Sequence, residues 1–214
     1  MKFDLHVHSS FSPCGHMDLD TIFQAARHRG LEGLCLTDHH SREAARHLTP
    51  GRQAGGLVVL VGEEYSTPQG DFLVLGPEIS PRPGLAAAEL LAWVEARGGV
   101  AVAAHPCRRG RSVDPAVLTS PEFLLMEAHN GRNRTGEDRR ARELAVRLGL
   151  ATVAGSDAHT PEELGRVFTR LSQPVTRMSE LVALLRTMAA WAAPRAAGAR
   201  SSLPLVPGPE LSAC

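Results

Sequence analysis

The stretch Asp4-Leu5-His6-Val7-His8 carries two histidines and a carboxylate at alternate positions. On an extended strand alternate side chains share a face, so Asp4, His6 and His8 point one way and Leu5 and Val7 the other. Three polar groups on one inward face are costly to bury without partners. Two imidazoles at this spacing suit a metal ion, and a nearby carboxylate suits the task of orienting an imidazole. A turn follows, Ser12-Pro13-Cys14-Gly15-His16, which adds a thiol and a further imidazole and can fold over the same place.

The same residue types recur where apolar runs end. Asp38, His39 and His40 close "LCLTDHH", Glu63 and Glu64 follow "VLVG", and His105 closes "VAVAAH". Glu127, His129 and Asn130 close "LLMEAHN", and Asp157 and His159 close "TVAGSDAH". The carboxyl ends of strands are where parallel sheets and barrels build active sites. One such histidine would be an ordinary hydrogen-bonded residue; five strand ends of this kind are not coincidence. Mixed imidazole and carboxylate donors suit Zn, Mn or Fe. They outnumber the roughly four that one tetrahedral ion takes, so two or three divalent ions are expected. Ions about 3.5–4 Å apart are a device for displacement at phosphorus.

These residues need a scaffold. Apolar runs predict strands near 2–8, 33–37, 57–62, 71–75, 100–104, 122–127 and 151–154, and helical patterns cover 18–29, 42–47, 85–97 and 137–148. Such alternation implies an α/β fold with a mainly parallel sheet, open or closed into a barrel. The runs 57–62 and 71–75, separated by "EEYSTPQG", read as a hairpin. From about residue 189 the chain becomes rich in Ala, Pro, Gly and Ser, so one domain over 1–188 and a disordered tail over 189–214 are expected.

Composition narrows the chemistry. Lys2 is the only lysine, every other fixed cation being arginine, which argues against a Schiff-base or phosphate-loop lysine. Formal charge sums to zero, so no basic field advertises nucleic acid. Cysteines at 14, 35, 107 and 214 have no framework spacing, and no apolar run approaches membrane-spanning length. A cytoplasmic protein without a membrane partner is expected. Cys35, inside an apolar run, reads as core, and His28 and His47 on helical patterns read as exposed.

The motifs "DLHVHS" (4–9), "TDHH" (37–40), "GEEYS" (62–66), "AHP" (104–106) and "GSDAH" (155–159), in this order, resemble those of the polymerase and histidinol phosphatase (PHP) family of metal-dependent phosphoesterases. The resemblance covers residues 2 to about 170 and implies a distorted seven-stranded (β/α)7 barrel, similar to a TIM barrel. It implies that His6, His8, Glu64 and Asp157 hold a first metal, that Glu64 bridges to a second held by His105, and that His39 and His159 hold a third. Catalysis is expected to rest on Asp157, His159 and Glu64. Two positions depart from the commoner family pattern: Cys14 stands where many members carry His or Asp, and Asp71 where many carry His. Both types ligate metals, so Cys14 (or His16), Asp71 and also Glu127 join the candidate ligands.

Arginines at 108, 109 and 111 and at 132 and 134 follow two of the strand ends, and a guanidinium fork matches phosphate oxygens. Arg108, Arg109 and Arg132, with His40 and His129, are the candidate substrate contacts. The expected activity is hydrolysis of a small phosphoester by a metal-activated hydroxide. A sugar phosphate, a nucleotide or the end of an oligonucleotide would each serve as substrate. Two other readings stand beside it: an amidohydrolase-like C–N hydrolase, which usually needs a bridging lysine, and a non-catalytic metal-binding regulatory domain.

Overall fold

The computed structural model describes residues 1–120 and 125–199. The chain starts with β1 (Lys2–Val7), loops into α1 (Leu19–His28) and returns as β2 (Gly33–Leu36). Asp18 caps α1 by accepting from the Thr21 amide at 2.7 Å. A 3-10 turn at Glu43–Arg46 leads to β3 (Gly51–Arg52), β4 (Val58–Val61), β5 (Glu63–Thr67) and β6 (Gly70–Leu75). Then follow α2 (Ala87–Glu95), β7 (Val100–Ala103), the short α3 (Pro115–Leu118), β8 (Leu125–Asn130), α4 (Glu137–Leu148), β9 (Ala151–Gly155), β10 (Thr169–Arg170) and α5 (Met178–Ala199).

The described strands form two mixed five-stranded sheets, not the closed seven-stranded barrel expected from the sequence. One sheet runs β10-β1-β2-β4-β3 and the other β5-β6-β7-β8-β9. The reason lies between residues 58 and 75. A parallel neighbour needs a crossover of a dozen or so residues, whereas antiparallel neighbours need only a tight turn. β4 continues through Gly62 alone into β5, and β5 turns at Pro68 and Gln69 into the antiparallel β6. The expected hairpin is therefore displaced: β6 pairs with 63–67, while 58–61 pairs with β2 in the other sheet. A side chain at Gly62 would collide with the Val74 carbonyl and Leu75, so this switch between sheets requires glycine.

The sheets meet at two seams, each through a single isolated bridge: Val7 with Ala158, and His39 with Glu64. Both seams lie beside candidate site residues. Phe3, Leu5, Val58, Leu60, Leu73, Val100, Val102 and Val153 fill the space between the sheets. Leu181, Val182, Leu184 and Leu185 of α5 close its other end. Burying those four side chains contributes on the order of 6–12 kcal/mol, comparable with the whole stability of a domain. No helix is expected there from the sequence reading. α5 runs past residue 188, with Ala189 buried, to Ala199. The rest of the expected tail, 200–214, lies outside the described residues, as do 121–124 of the expected strand 122–127. No described helix is long and apolar enough to cross a membrane.

Candidate metal centre

Away from α5, the strand ends bring together the polar residues read from the sequence. His6 lies on β1 and His8 just beyond it, held where its amide donates to the Ala158 carbonyl at 2.9 Å. Glu64 sits at the centre. Its Oε2 is 3.3 Å from His6 Nε2, 3.2 Å from His8 Nε2 and 3.3 Å from His39 Nδ1. Its Oε1 is 3.0 Å from His105 Nε2. Asp157 Oδ1 is 3.5 Å from His6 Nε2 and 3.3 Å from His8 Nε2.

Among the described residues, three groups have donor atoms that all lie within 4.8 Å of one another: His6, His8 and Asp157; Glu64, Asp71 and His105; and His8, Cys14, His39 and His159. The last includes Cys14, whose Sγ is 3.1 Å from His159 Nε2. Gly15 makes this loop possible, because a side chain there would run into the Ser9 backbone. Ser12 secures it, its hydroxyl accepting from the His39 amide at 2.9 Å and meeting His8 Nδ1 at 3.2 Å.

The backbone is strained where it delivers these groups. His40, His105 and Asp157 hold φ of 49°, 31° and 55°, a left-handed region that non-glycine residues seldom adopt. All three follow strand ends at the centre.

Charge explains the rest. Burial pushes the Glu64 carboxyl up, but His6, His105 and His8 outweigh it and hold it well below the usual range. Burial likewise opposes ionisation of Asp157, and His6, His8 and Arg108 bring it down. Burial lowers His6, yet Asp157, Glu127 and Glu64 together raise it well above the ordinary imidazole. Burial, with His8 beside it, lowers His159 to about 4, and burial also lowers His39. The centre is thus a field that favours cations and keeps two imidazoles neutral, the form that ligates. His105 Nδ1 and Asp157 Oδ2 are buried without a hydrogen-bond partner. The donor set fits divalent transition metals.

Glu127, a candidate ligand, stands behind the donors instead. Its Oε1 meets His6 Nδ1 at 3.0 Å, and its Oε2 accepts from the His105 amide at 2.8 Å and from Asn130 Nδ2 at 2.9 Å. It orients the His6 imidazole and holds the His105 backbone. Gly155 allows the approach, since a Cβ there would strike His6 and Glu127 Oε1. His16 is exposed and outside the three groups. Cys35, pushed up to about 12 by burial, is core. Glu63 faces away from the centre, fully buried, and accepts from the Ser80 hydroxyl.

The substrate candidates divide. Arg108 Nη2 is 2.8 Å from Asp157 Oδ2, an ionic contact outside hydrogen-bond alignment, and donates to Asn130 Oδ1 at 2.6 Å. Arg132 Nη1 reaches His159 Nδ1 at 2.9 Å. Arg109 does not join them: its side chain is exposed, and its amide donates to Glu137. Arg111 takes its place, 2.9 Å from Asp71 Oδ2. His40 sits at the rim, edge-on to Tyr65, with Nε2 accepting from the Ser66 amide at 3.4 Å. His129 points outward, 54% exposed and paired with Asp138, because the bulge between Glu127 and His129 reverses the alternation.

Asn130 as the anchor of Arg108, and Asp4 as a brace, carry roles the sequence reading did not assign. Asp4 accepts from the amides of Ser156 at 2.9 Å and Gly165 at 3.1 Å, tying the segment of Asp157 to β1. Its position on the His6 face was the available signal.

This fold and these donor groups define a candidate centre for metal ions. The family model for the PHP domain matches residues 4–101, and that for the PHP-associated region matches 136–189. The chain belongs to the PHP family. It is 29% identical over 181 residues to the uncharacterized protein MJ0417 of Methanocaldococcus jannaschii, covering 81% of this chain and 71% of that one. It is 27% identical over 116 residues to MJ1587 of the same organism, covering 50% and 68%. Among solved structures, a Bifidobacterium adolescentis protein assigned to the metal-dependent phosphoesterases superimposes with a TM-score of 0.60 at 18% identity, covering 86% of this chain and 95% of that one. An amidohydrolase from Chromobacterium violaceum, with bound sulfate, gives 0.59 at 18%, covering 89% and 96%.

Proposed function

We propose that the chain is a phosphoesterase that hydrolyses a small phosphorylated substrate. The observation that carries this reading is the ring of Arg108, Arg111 and Arg132 around the three donor groups. His6, His8, Glu64 and Asp157 would hold a first ion, Glu64, His105 and Asp71 a second, and Cys14, His39 and His159 a third, with Zn, Mn or Fe the candidates. When bound, such ions supply Lewis acidity toward water and toward phosphoryl oxygens.

The chain's own residues do the rest. Arg111 and Arg132 are half exposed, so they can turn from Asp71 and His159 to an arriving phosphate. A guanidinium fork matches two phosphate oxygens. Asn130 limits Arg108 to one direction and so orients the phosphate. At His159, Nδ1–H donating to the Asp157 carbonyl at 2.9 Å leaves the Nε2 lone pair facing Cys14; accepting from Arg132 requires the other tautomer. Turning Arg132 toward substrate therefore favours the ligating tautomer.

The amidohydrolase neighbour gives the second reading its support, C–N hydrolysis in the same centre. Against it, Lys2 is the only lysine and its Nζ rests over the Phe168 ring, so no lysine bridges the donors. The deciding experiment supplies Mn, Fe and Zn separately and screens phosphomonoesters, phosphodiesters and cyclic amides. Phosphoester turnover lost in Asp157→Ala, with the circular dichroism spectrum unchanged, is the expected result. Turnover of amides alone would overturn it.

A further inference from the structure

We propose that Arg111 links the second ion to the substrate. It holds the Asp71 oxygen that the ion would take, and gives it up when a phosphate draws the guanidinium away. The phosphate, and nothing else in this linkage, rests on the phosphoesterase reading.

Two arginines at the ends of one turn meet the donor groups in different ways. The Arg111 amide donates to the Arg108 carbonyl at 3.1 Å, so both side chains leave the same turn after β7. Arg108 touches Oδ2 of Asp157, while Oδ1 of that carboxylate faces His6 and His8. Arg108 is 19% exposed, and two neutral amide oxygens fix it. Its Nε donates to Asn133 Oδ1 at 3.1 Å and its Nη2 to Asn130 Oδ1 at 2.6 Å. An ion on Asp157 Oδ1 leaves that arrangement in place.

Arg111 stands on an oxygen that faces inward. Its Nη2 is 2.9 Å from Asp71 Oδ2, and the same oxygen lies 3.8 Å from His105 Nε2 within the second donor group. Asp71 is buried, so solvent and salt screen charges there only weakly. A dication bound through Oδ2 would face the guanidinium at short range, where like charges repel strongly. That oxygen therefore serves the ion or the guanidinium, not both at full strength. Arg111 can leave. Its side chain is 50% exposed, Asp71 Oδ2 has no aligned hydrogen-bond donor, and the other tie of Nη2 is a 3.4 Å bond to Ser66 Oγ.

A phosphate that takes the guanidinium fork frees Asp71 for the ion, and an ion on Asp71 frees the fork for phosphate. Such linkage is reciprocal, with typical couplings of about 5–150-fold. Direct coordination of phosphate by the ion would also couple the two. Competition for Asp71 makes a separate demand: removing Arg111 should tighten the ion even without phosphate.

Paramagnetic resonance, which counts free Mn(II), tests this on the full chain. Without phosphate, Arg111→Met and Arg111→Gln should each bind one Mn(II) at least about fivefold more tightly than the unsubstituted chain. Inorganic phosphate should tighten that ion at least about fivefold in the unsubstituted chain and by a smaller factor in either variant. Arg109→Met removes a charge from the same loop, at an exposed position outside the donor groups, and should leave the isotherm unchanged. Unchanged Mn(II) affinity in both Arg111 variants overturns the proposal. So does equal tightening in Arg109→Met, which would make the effect one of general charge, and so does a phosphate effect of equal size with and without Arg111. The phosphate-free isotherms involve no turnover, so they hold or fail independently of phosphoester hydrolysis by the unsubstituted chain.

Discussion

Cys14 brings a thiol to within 3.1 Å of His159 Nε2. A thiolate is softer than a carboxylate or an imidazole, so its group should prefer Zn or Co over Mn. Cobalt-substituted protein should show a thiolate-to-cobalt charge-transfer band in the near ultraviolet, absent in Cys14→Ala together with one ion by elemental analysis. Cys14→Asp should keep the ion and move the preference toward Mn. His16→Ala should change neither, since His16 lies outside the donor groups; loss of the band there would reassign the ligand. His159 gives a pH signature. Held at about 4, below the ordinary 6.5, it binds fewer protons folded than unfolded between those values. Its contribution to stability is therefore lost as pH falls through that window. In chelator-treated protein, the thermal midpoint of the unsubstituted chain minus that of His159→Gln should fall between pH 6.5 and 4. A constant difference would mean that His159 titrates normally.

At the scale of elements, β8 shows how a strand can serve a site without supplying a ligand. Its bulge turns His129 to solvent and leaves Glu127 behind His6 and the His105 amide. Groups that orient ligands typically matter 10–100-fold in metal affinity. Glu127→Gln preserves size but places an N–H₂ against at least one existing donor. It should weaken metal binding by about that factor in calorimetric titration, with the fold intact. An unchanged affinity would leave Glu127 with a packing role alone.

For the whole molecule, the centre lies where the two sheets, packed on a shared apolar core, pair through one bridge at each seam. Ions held by His6, Glu64, His105 and Asp157 would tie both sheets together. At a free ion concentration about a hundred times Kd each ion adds roughly 2.7 kcal/mol, or about 5–10 °C in the midpoint for a chain of this size. Chelation should lower the midpoint by at least that amount and added Zn or Mn should restore it. A midpoint indifferent to chelation would mean that the ions do not brace the seams.

Much of the centre was legible in the sequence because its signals are local. Alternation on β1 predicts that His6 and His8 share a face, and strand-end motifs mark His39, Glu64, His105, Asp157 and His159 without knowledge of how the strands pair. The cysteine in the first turn and the Asp71 substitution can likewise be read by position. The architecture is a different kind of fact. Whether strands close into a barrel depends on which neighbours they pair with, and the direct passage of β4 through Gly62 into β5 decides that through non-local hydrogen bonds. The same holds for Arg109 and Arg111. They are equivalent on paper, and the path of the loop after β7 sends Arg111 to Asp71 and Arg109 to solvent. α5 remained hidden because Leu181, Val182, Leu184 and Leu185 acquire an inner face only when the two sheets present one to them. Residue type and spacing determined what the site is made of; tertiary packing decided which of those residues face inward, since orientation beyond one strand or turn is set by contacts distant in the chain.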